Sequence, residues 1–231
     1  LGLTTVSIVG GLLSLDRRAA FQLMLSQPLI AVSLLGAFMG QMEQAVLLGS
    51  LLQLLWMSCV LFGANIPRND TLASITIGGV VFIYTQTVGP VDTATITLAV
   101  LVGAPVCVLG QWLDIKLDHM NLGLAASVDA AAEAGKTGPI AFAVFLAIIR
   151  TFLANATATA VTTACMLFAV IELRASLSSS PAQALSVVGV YLLPALGLAV
   201  AMSMLRRRRS LALAGLTFVA VAAVISQVHL P

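Results

Sequence analysis

Amide and carboxylate side chains cluster at two interruptions in the apolar N-terminal part of the chain, and they are the strongest candidates for binding chemistry. Gln27 precedes Pro28, and Gln53, Asn65 and Asp70 surround the second interruption, GANIP. Proline removes a backbone donor and disfavours helical geometry in the residue before it, so a broken helix is predicted at both points. Amides and carboxylates together offer donors and acceptors to several hydroxyl groups, which suits a sugar, although they would suit a cation as well.

Arg150 is a second candidate, because it lies between two apolar segments, AVFLAII and TFLANATATAVTT. An unpaired charge at the centre of a membrane helix costs about 2.5–3.5 kcal/mol on insertion scales. Arg150 therefore needs a carboxylate, helix-end carbonyl groups or a wet cavity, unless it reaches the membrane interface. A structural buried pair and a functional role both remain open for it.

The residue types used in covalent and metal chemistry are scarce in this chain. Cys59, Cys107 and Cys165 all lie in apolar runs, which indicates buried structural thiols. His119 and His229 have no His, Cys or carboxylate partner three or four residues further on. No catalytic residue, metal site or cofactor is therefore predicted.

The elements that position these side chains are predicted to be membrane helices. Hydrophobic residues make up 60% of the 231 residues, charged residues only 9%, and the mean hydropathy is +1.07. Ordinary globular proteins carry roughly 25% charged residues, so a soluble enzyme or a disordered tail is excluded. The net charge of +2 gives no basic footprint for nucleic acid. The long uncharged runs do not alternate as barrel strands do. We therefore expect an all-α polytopic membrane protein with about seven membrane segments, some of them broken or re-entrant half-helices.

Charge patterning divides the chain into three predicted regions. Residues 1–113 form an N-terminal membrane region with the broken helices and the candidate site, residues 114–138 a polar cytoplasmic connection, and residues 139–231 the C-terminal membrane helices. Arg206 to Arg209 form the strongest positive-inside signal. Residues 139–173 would form a helix about 52 Å long, which must be broken or extend beyond the hydrocarbon core of about 30 Å.

An ordered series of residues between positions 14 and 75 resembles a known family. The series comprises Asp16, then Gln27-Pro28-Leu29-Ile30, then Gly36, Gly40 and Gly49, and finally Gly63-Ala64 through Leu72-Ala73-Ser74-Ile75. It is similar to the N-terminal half of the IIC component of the mannose/fructose/sorbose-type phosphotransferase system. The later part of the chain is similar to that family mainly in layout.

The resemblance implies a permease subunit in the bacterial inner membrane that pairs with a IID membrane subunit within an oligomeric complex. The subunit would bind a sugar and pass it to a cytoplasmic IIB component, which receives its phosphoryl group from IIA and phosphorylates the sugar. The IIC component itself carries no phosphorylated residue in this family.

By the same resemblance, the polar break at 53–70 would line the sugar site. Gln53 and Asn65 would bind sugar hydroxyls, Asp70 would accept at the mouth of the site, and Gln27 would contribute from the facing break. Arg68 would orient Asp70 or contact a cytoplasmic partner. Gln53 stands where mannose-type members often carry an acidic residue.

Two other functions compete with the sugar permease. An ion-coupled secondary transporter would use Asp70, Asp92 and Arg150, whereas a non-transporting membrane scaffold would keep the family helices without an acidic site residue. The permease hypothesis requires the breaks near positions 27 and 53–70 to face each other in a wet pocket.

Overall fold

The computed structural model describes residues 1–20, 22–59, 66–204, 212–213, 215–220 and 223. All regular structure within these ranges is helical, which confirms the all-α prediction. The main helices are α1 (Gly2–Arg18), α2 (Pro28–Met39), α3 (Met42–Trp56), α4 (Asp70–Thr87), α5 (Thr93–Gly103), α6 (Val106–Glu133), α7 (Gly138–Ser176), α8 (Ser179–Val187) and α9 (Leu193–Ser203), with a π-helical turn, Val188–Leu192, between the last two. The predicted site residue Asn65 and the cluster Arg206–Arg209 lie outside the described residues.

Three helical stretches are long and apolar enough to cross a membrane: Thr93–Glu133, Gly138–Ser176 and Ser179–Ser203. Helices α2 and α3 are also apolar, but their 12 and 15 residues reach only about 18 and 22 Å. Each is shorter than the hydrocarbon core of about 30 Å. The chain is therefore a multi-pass membrane protein that contains half-length helices, as the proline positions predicted.

Helices α2 and α3 form a tight hairpin. Pro28 occupies the first turn of α2, where its missing N–H costs no helical hydrogen bond. Gly40 ends α2 with φ +72°, a left-handed conformation that glycine adopts without strain. A side chain at Gly36 would overlap the Cβ of Ala45, so glycine at this position lets the two helices touch.

Helix α4 lies at the centre of the structure. Every residue from Asp70 to Ile83 is buried, and α1, α2, α5, α6 and α7 all pack against the helix. Because α4 has no exposed face along this stretch, its two ends are the places where polar side chains can gather. Asn69 caps its N-terminus by accepting a hydrogen bond from the Leu72 amide at 2.9 Å.

Helix α7 is a single unbroken helix of 39 residues, about 58 Å long. The sequence allowed either a broken helix over residues 139–173 or a helix that extends beyond the hydrocarbon core. The structure has the unbroken, longer helix. Residues 114–133, the greater part of the expected polar connection, continue α6 as helix. The cytoplasmic position of that region stays a prediction.

Candidate functional site

The loop between α1 and α2 is held in place by a buried carboxylate. Asp16, which is 5% exposed, accepts hydrogen bonds from the amides of Leu23 at 2.7 Å and Ser26 at 3.0 Å. Gln22 and Met24 have positive φ, so the loop turns sharply between these anchoring points. Asp16 thereby fixes the backbone that leads to Gln27.

Gln53 on α3 meets Gln27 at the start of α2. The Gln53 side-chain amide donates to the Gln27 side-chain carbonyl at 2.9 Å. The Gln53 carbonyl accepts from the Leu29 amide at 3.2 Å. That amide is one of the N–H groups of α2 that have no partner within the helix. The two glutamines expected from the sequence therefore lie together.

A cavity of about 400 Å³ opens beside the paired glutamines. Its size falls within the range of roughly 300–1,000 Å³ that is usual for small-molecule sites. Its walls combine polar and apolar groups: Asp16, Arg17, Gln22, Met24, Ser26, Gln27, Gln53, Trp56, Met57, Cys59, Asp70 and Thr71. Of the four predicted substrate-binding residues, the structure brings Gln27, Gln53 and Asp70 into this cavity, which we call the glutamine cavity.

Arg17 is the cation that contacts Asp70, and sequence reasoning missed it. The Arg17 guanidinium lies 3.4 Å from Asp70 Oδ1 and 2.8 Å from Asp114 Oδ2, and it donates to the Arg68 carbonyl at 2.9 Å. The Asn69 amide donates to the same Asp114 oxygen at 3.0 Å. Arg68 contributes its backbone to this network while its side chain is exposed, so a contact of Arg68 with a partner stays a prediction.

The sequence did carry one signal for this network. Asp16, Arg17 and Arg18 are the only charged residues before Glu43, and three adjacent charges at the end of an apolar helix need partners. The sequence offered no means of choosing Asp114, 97 residues away, as the main partner.

Arg150 and Asp92 lie away from the glutamine cavity. Arg150 is half-buried on α7 and forms no ion pair within the part of the chain that the structure describes. Asp92 follows the far end of α4, a helix about 27 Å long that begins at Asp70. It pairs with Arg174 at 2.7 Å. Burial raises the pKa of Asp92, but hydrogen bonds from Arg174 and Thr95 outweigh that effect and lower it to about 2.

The cysteines differ in their surroundings, against the expectation of three buried thiols. Cys107 is buried, but Cys59 is partly accessible in the wall of the glutamine cavity and Cys165 is exposed. Among the described residues, no three or more His, Cys, Asp or Glu side chains are grouped to hold a metal ion. The glutamine cavity is thus equipped for hydrogen bonding to a polar ligand.

A multi-pass helical membrane protein whose polar cavity lies at two half-length helices has the organisation of a permease. The family described as "PTS system sorbose-specific iic component" matches residues 2–230, and the chain belongs to this family. The resemblance seen in the N-terminal part is thereby confirmed over nearly the whole chain, and the protein is a permease component of a phosphotransferase system.

Two solved structures share the fold. One, described as "Structure of membrane protein", has a TM-score of 0.68 and 20% identity, with 98% of this chain and 92% of the other covered. The second, "CryoEM Structure of Mannose Transporter ManYZ and Microcin E492 (MceA) complex", has a TM-score of 0.61, the same identity and the same coverage. No curated protein matches the chain significantly.

Proposed function

We propose that this chain binds a sugar in the glutamine cavity and delivers it to a IIB partner, which phosphorylates the sugar as it enters the cell. The observation that carries the proposal is the Gln53–Gln27 hydrogen bond in a cavity of about 400 Å³. Membership of the IIC family supports a permease role, and the cavity chemistry supports a ligand with several hydroxyl groups.

The paired glutamines provide the hydroxyl-binding groups of this proposal. Each amide has one donor and one acceptor end, so Gln27 and Gln53 can exchange their mutual bond for bonds to adjacent hydroxyls. Such an exchange leaves few polar groups unsatisfied when the sugar enters or leaves. Asn65 would add a further amide from the second interruption.

Asp70 provides a charged acceptor on the opposite wall. Its side chain is 13% exposed and keeps a rather long contact of 3.4 Å with Arg17, so one oxygen can accept from a sugar hydroxyl while the pair persists. Hydrogen bonds to charged groups are stronger than those between neutral groups. Asp70 would therefore supply orientation as well as affinity.

Transport would be driven by chemistry on the sugar. Phosphorylation by the IIB partner adds negative charge, and the charged product binds the amide-lined cavity less well and stays inside. This scheme requires no ion gradient. Asp70 and Asp92 lie at opposite ends of α4, so the residues of the ion-coupled alternative do not share one site.

The complex would include a IID membrane subunit, cytoplasmic IIB and IIA components and several copies of the assembly in a bacterial inner membrane. The solved mannose transporter is described as ManYZ, which supports a membrane partner for this chain. Large apolar side chains such as Trp112, Phe142 and Phe145 are more than half exposed on α6 and α7, as expected of surfaces that face lipid or another membrane subunit.

The test is uptake of labelled hexoses by vesicles that contain the whole complex and a source of IIB phosphate. Gln53→Ala should reduce uptake about tenfold, because it removes two or more hydrogen-bonding groups at about 0.5–1.5 kcal/mol each. Gln183→Ala, on the exposed surface of α8, is the matched control and should leave uptake unchanged. Uptake that persists without IIB and collapses with the ion gradient would refute the proposal.

A further inference from the structure

A second polar cavity, of about 270 Å³, lies between α1, α6 and α7 and shares no lining residue with the glutamine cavity. Six polar side chains line it: Ser14, Arg18, Asp114, Asp118, Asn121 and Thr151. We call it the α6–α7 cavity. The proposed sugar transport makes no use of it.

Asp114 lines the α6–α7 cavity, and only one of its two carboxylate oxygens accepts a hydrogen bond within the described residues. Its side chain is 4% exposed, and its Oδ2 atom accepts from both Arg17 and Asn69. Its Oδ1 atom accepts no hydrogen bond within the described residues, and the nearest cationic atom, Arg18 Nη1, is 3.8 Å away. Asn121 lines the same cavity, and its Oδ1 atom is buried without a hydrogen-bond partner among the described residues, so that atom calls for a ligand that donates.

The ion-pair chain that contains Asp114 has one more carboxylate than guanidinium groups. The continuous ion-pair chain Asp70–Arg17–Asp114–Arg18–Asp118 contains three carboxylates and two guanidinium groups, a net charge of −1. Arg18 is already engaged with Asp118 at 2.7 Å.

The two hydroxyl groups of the cavity add to the acceptors. Ser14 and Thr151 each donate their proton to a backbone carbonyl four residues earlier, which leaves oxygen lone pairs free. The hydrogen-bond acceptors of the cavity therefore favour a cation with N–H groups over an anion.

The size and walls of the α6–α7 cavity favour a headgroup over a bare ion. A volume of about 270 Å³ is about nine times the 30 Å³ that one water occupies in the liquid. The remaining wall is apolar: Ala19, Leu117, Val144, Ala147 and Ile148. Val144 is 56% exposed, so the apolar side of the cavity continues onto the outer surface of α7, where an acyl chain can lie.

Neighbouring residues place the cavity at the depth of the membrane interface. On α6, Trp112 and Lys116 flank Asp114 in sequence, and the Lys116 ammonium lies 4.8 Å from the centre of the Trp112 ring. Tryptophan and lysine concentrate where lipid headgroups meet water. On α7, Arg150 directly precedes Thr151, so the phosphodiester of a lipid whose ammonium group lies in the cavity would be close to the level of this cation.

We propose that the α6–α7 cavity binds the primary ammonium headgroup of a phospholipid of the phosphatidylethanolamine type. The ammonium group donates to Asp114 Oδ1, Asp118 and the hydroxyl oxygens, while the acyl chains follow the apolar surface at Val144 and Ile148. The site is separate from the sugar site, so lipid binding is measured independently of transport.

The test is lipid binding to the purified complex by native mass spectrometry. Phosphatidylethanolamine is compared with its N,N-dimethyl analogue and with phosphatidylcholine, which keep the positive charge and lose N–H donors stepwise. We expect binding to weaken along this series, with phosphatidylcholine about tenfold weaker than phosphatidylethanolamine. Equal binding of the three lipids would overturn the proposal.

Matched variants test whether the lipid binds in the α6–α7 cavity. Asp118→Asn and Thr151→Val should abolish the preference for phosphatidylethanolamine, whereas Asp129→Asn on the exposed face of α6 and Thr157→Val on the exposed face of α7 should retain it. Thr151→Val leaves every ion pair intact, so its effect does not depend on refolding of the charge network. A preference that survives in both cavity variants would place the lipid elsewhere and overturn the assignment.

A soluble headgroup tests whether the ammonium ligand belongs to a phospholipid or to a soluble amine. Glycerophosphoethanolamine should displace the lipid only at concentrations far above that of the lipid itself, since it lacks the acyl chains. Displacement at equal concentration would show that the site takes a soluble amine, which contradicts a lipid site.

Discussion

Arg17 balances the charge of the candidate sugar site. It is 9% exposed and contacts carboxylates from two different elements, Asp70 at the start of α4 and Asp114 within α6. A guanidinium group can serve both at once because its five N–H donors lie in a fixed plane. A single residue of α1 thereby joins two parts of the chain that are 44 positions apart, a separation no local pattern reports.

Loss of Arg17 should therefore destabilise the protein. Arg17→Met leaves Asp70 without its cation and Asp114 with only the longer contact of 3.8 Å to Arg18, and breaking a buried pair costs about 3–5 kcal/mol. Thermal unfolding in detergent should show a clear drop in Tm, together with loss of sugar uptake. Arg174→Met removes a partly exposed pair and should cost about 0–1 kcal/mol. Equal losses in the two variants would show that the Arg17 network is not a stabilising one.

A substitution at Gln53 tests the sugar permease against the scaffold alternative. Gln53→Glu introduces the acidic residue that mannose-type members often carry, and its carboxylate can accept from the Gln27 amide as well as from a hydroxyl. A charged acceptor should strengthen hexose uptake about fivefold. Gln183→Glu on α8 is the control for added charge. If uptake of every hexose tested is the same in Gln53→Glu and in the unaltered protein, the scaffold alternative is favoured.

At the scale of elements, the hairpin of α2 and α3 carries both glutamines, so its packing sets the geometry of the site. Gln53 on α3 meets Gln27 at the start of α2 within a hairpin whose helices approach closely at Gly36 and Ala45 and at Gly49 and Leu29. The hairpin also explains why short helices occur in a membrane protein. Each short helix packs against other helices, which provide the hydrogen-bond partners that lipid cannot provide for the backbone groups at its ends.

Gly36→Ala should disturb this packing. The new Cβ would overlap the Ala45 side chain, and overpacking of a close contact costs about 1–3 kcal/mol. Gly123 on α6 has open space around it, so Gly123→Ala should be neutral or should stabilise by up to about 1 kcal/mol. Tm and hexose uptake are the measurements.

The double variant Gly36→Ala with Ala45→Gly provides the coupling test. The methyl group then moves from one helix to the other, and part of the lost stability should return. If the double variant is no more stable than Gly36→Ala alone, the contact between these two residues does not explain the effect.

At the scale of the whole molecule, the polar groups of this chain are few and its apolar surface is large. Three carboxylates and two guanidinium groups are gathered into one ion-pair chain between two cavities, while α6 and α7 expose large apolar side chains to their surroundings. If a IID subunit completes the sugar site, as proposed, the single subunit holds a sugar weakly on its own.

The isolated chain should therefore bind labelled hexoses about tenfold or more weakly than the complex with a IID subunit. Equilibrium dialysis in detergent measures both. The Gln53→Ala variant of the complex provides the baseline for binding outside the glutamine cavity. Tight binding by the isolated chain would contradict a site that the partner completes.

The sequence by itself determined that this protein lies in a membrane and that a helix is interrupted before Pro28. Composition excludes water as the surroundings of the fold, and Pro28 begins α2 because a proline is tolerated only in the first turn of a helix. The sequence assigned Gln27 and Gln53 to one predicted sugar site, but the hydrogen bond between them is a result of the tertiary structure.

Only the tertiary structure decided which charges meet. Asp16 accepts hydrogen bonds from two backbone amides of a loop. Arg17 pairs with Asp114 and Asp70, and Asp92 pairs with Arg174 beyond the other end of α4. Hydrophobic periodicity and hydropathy predict that a helix can lie in lipid. They do not predict which of its faces meets another helix, because nearly every face of these helices is apolar. The rotation and depth of one helix against another depend instead on close contacts such as Gly36 with Ala45, which join residues that no local sequence pattern connects.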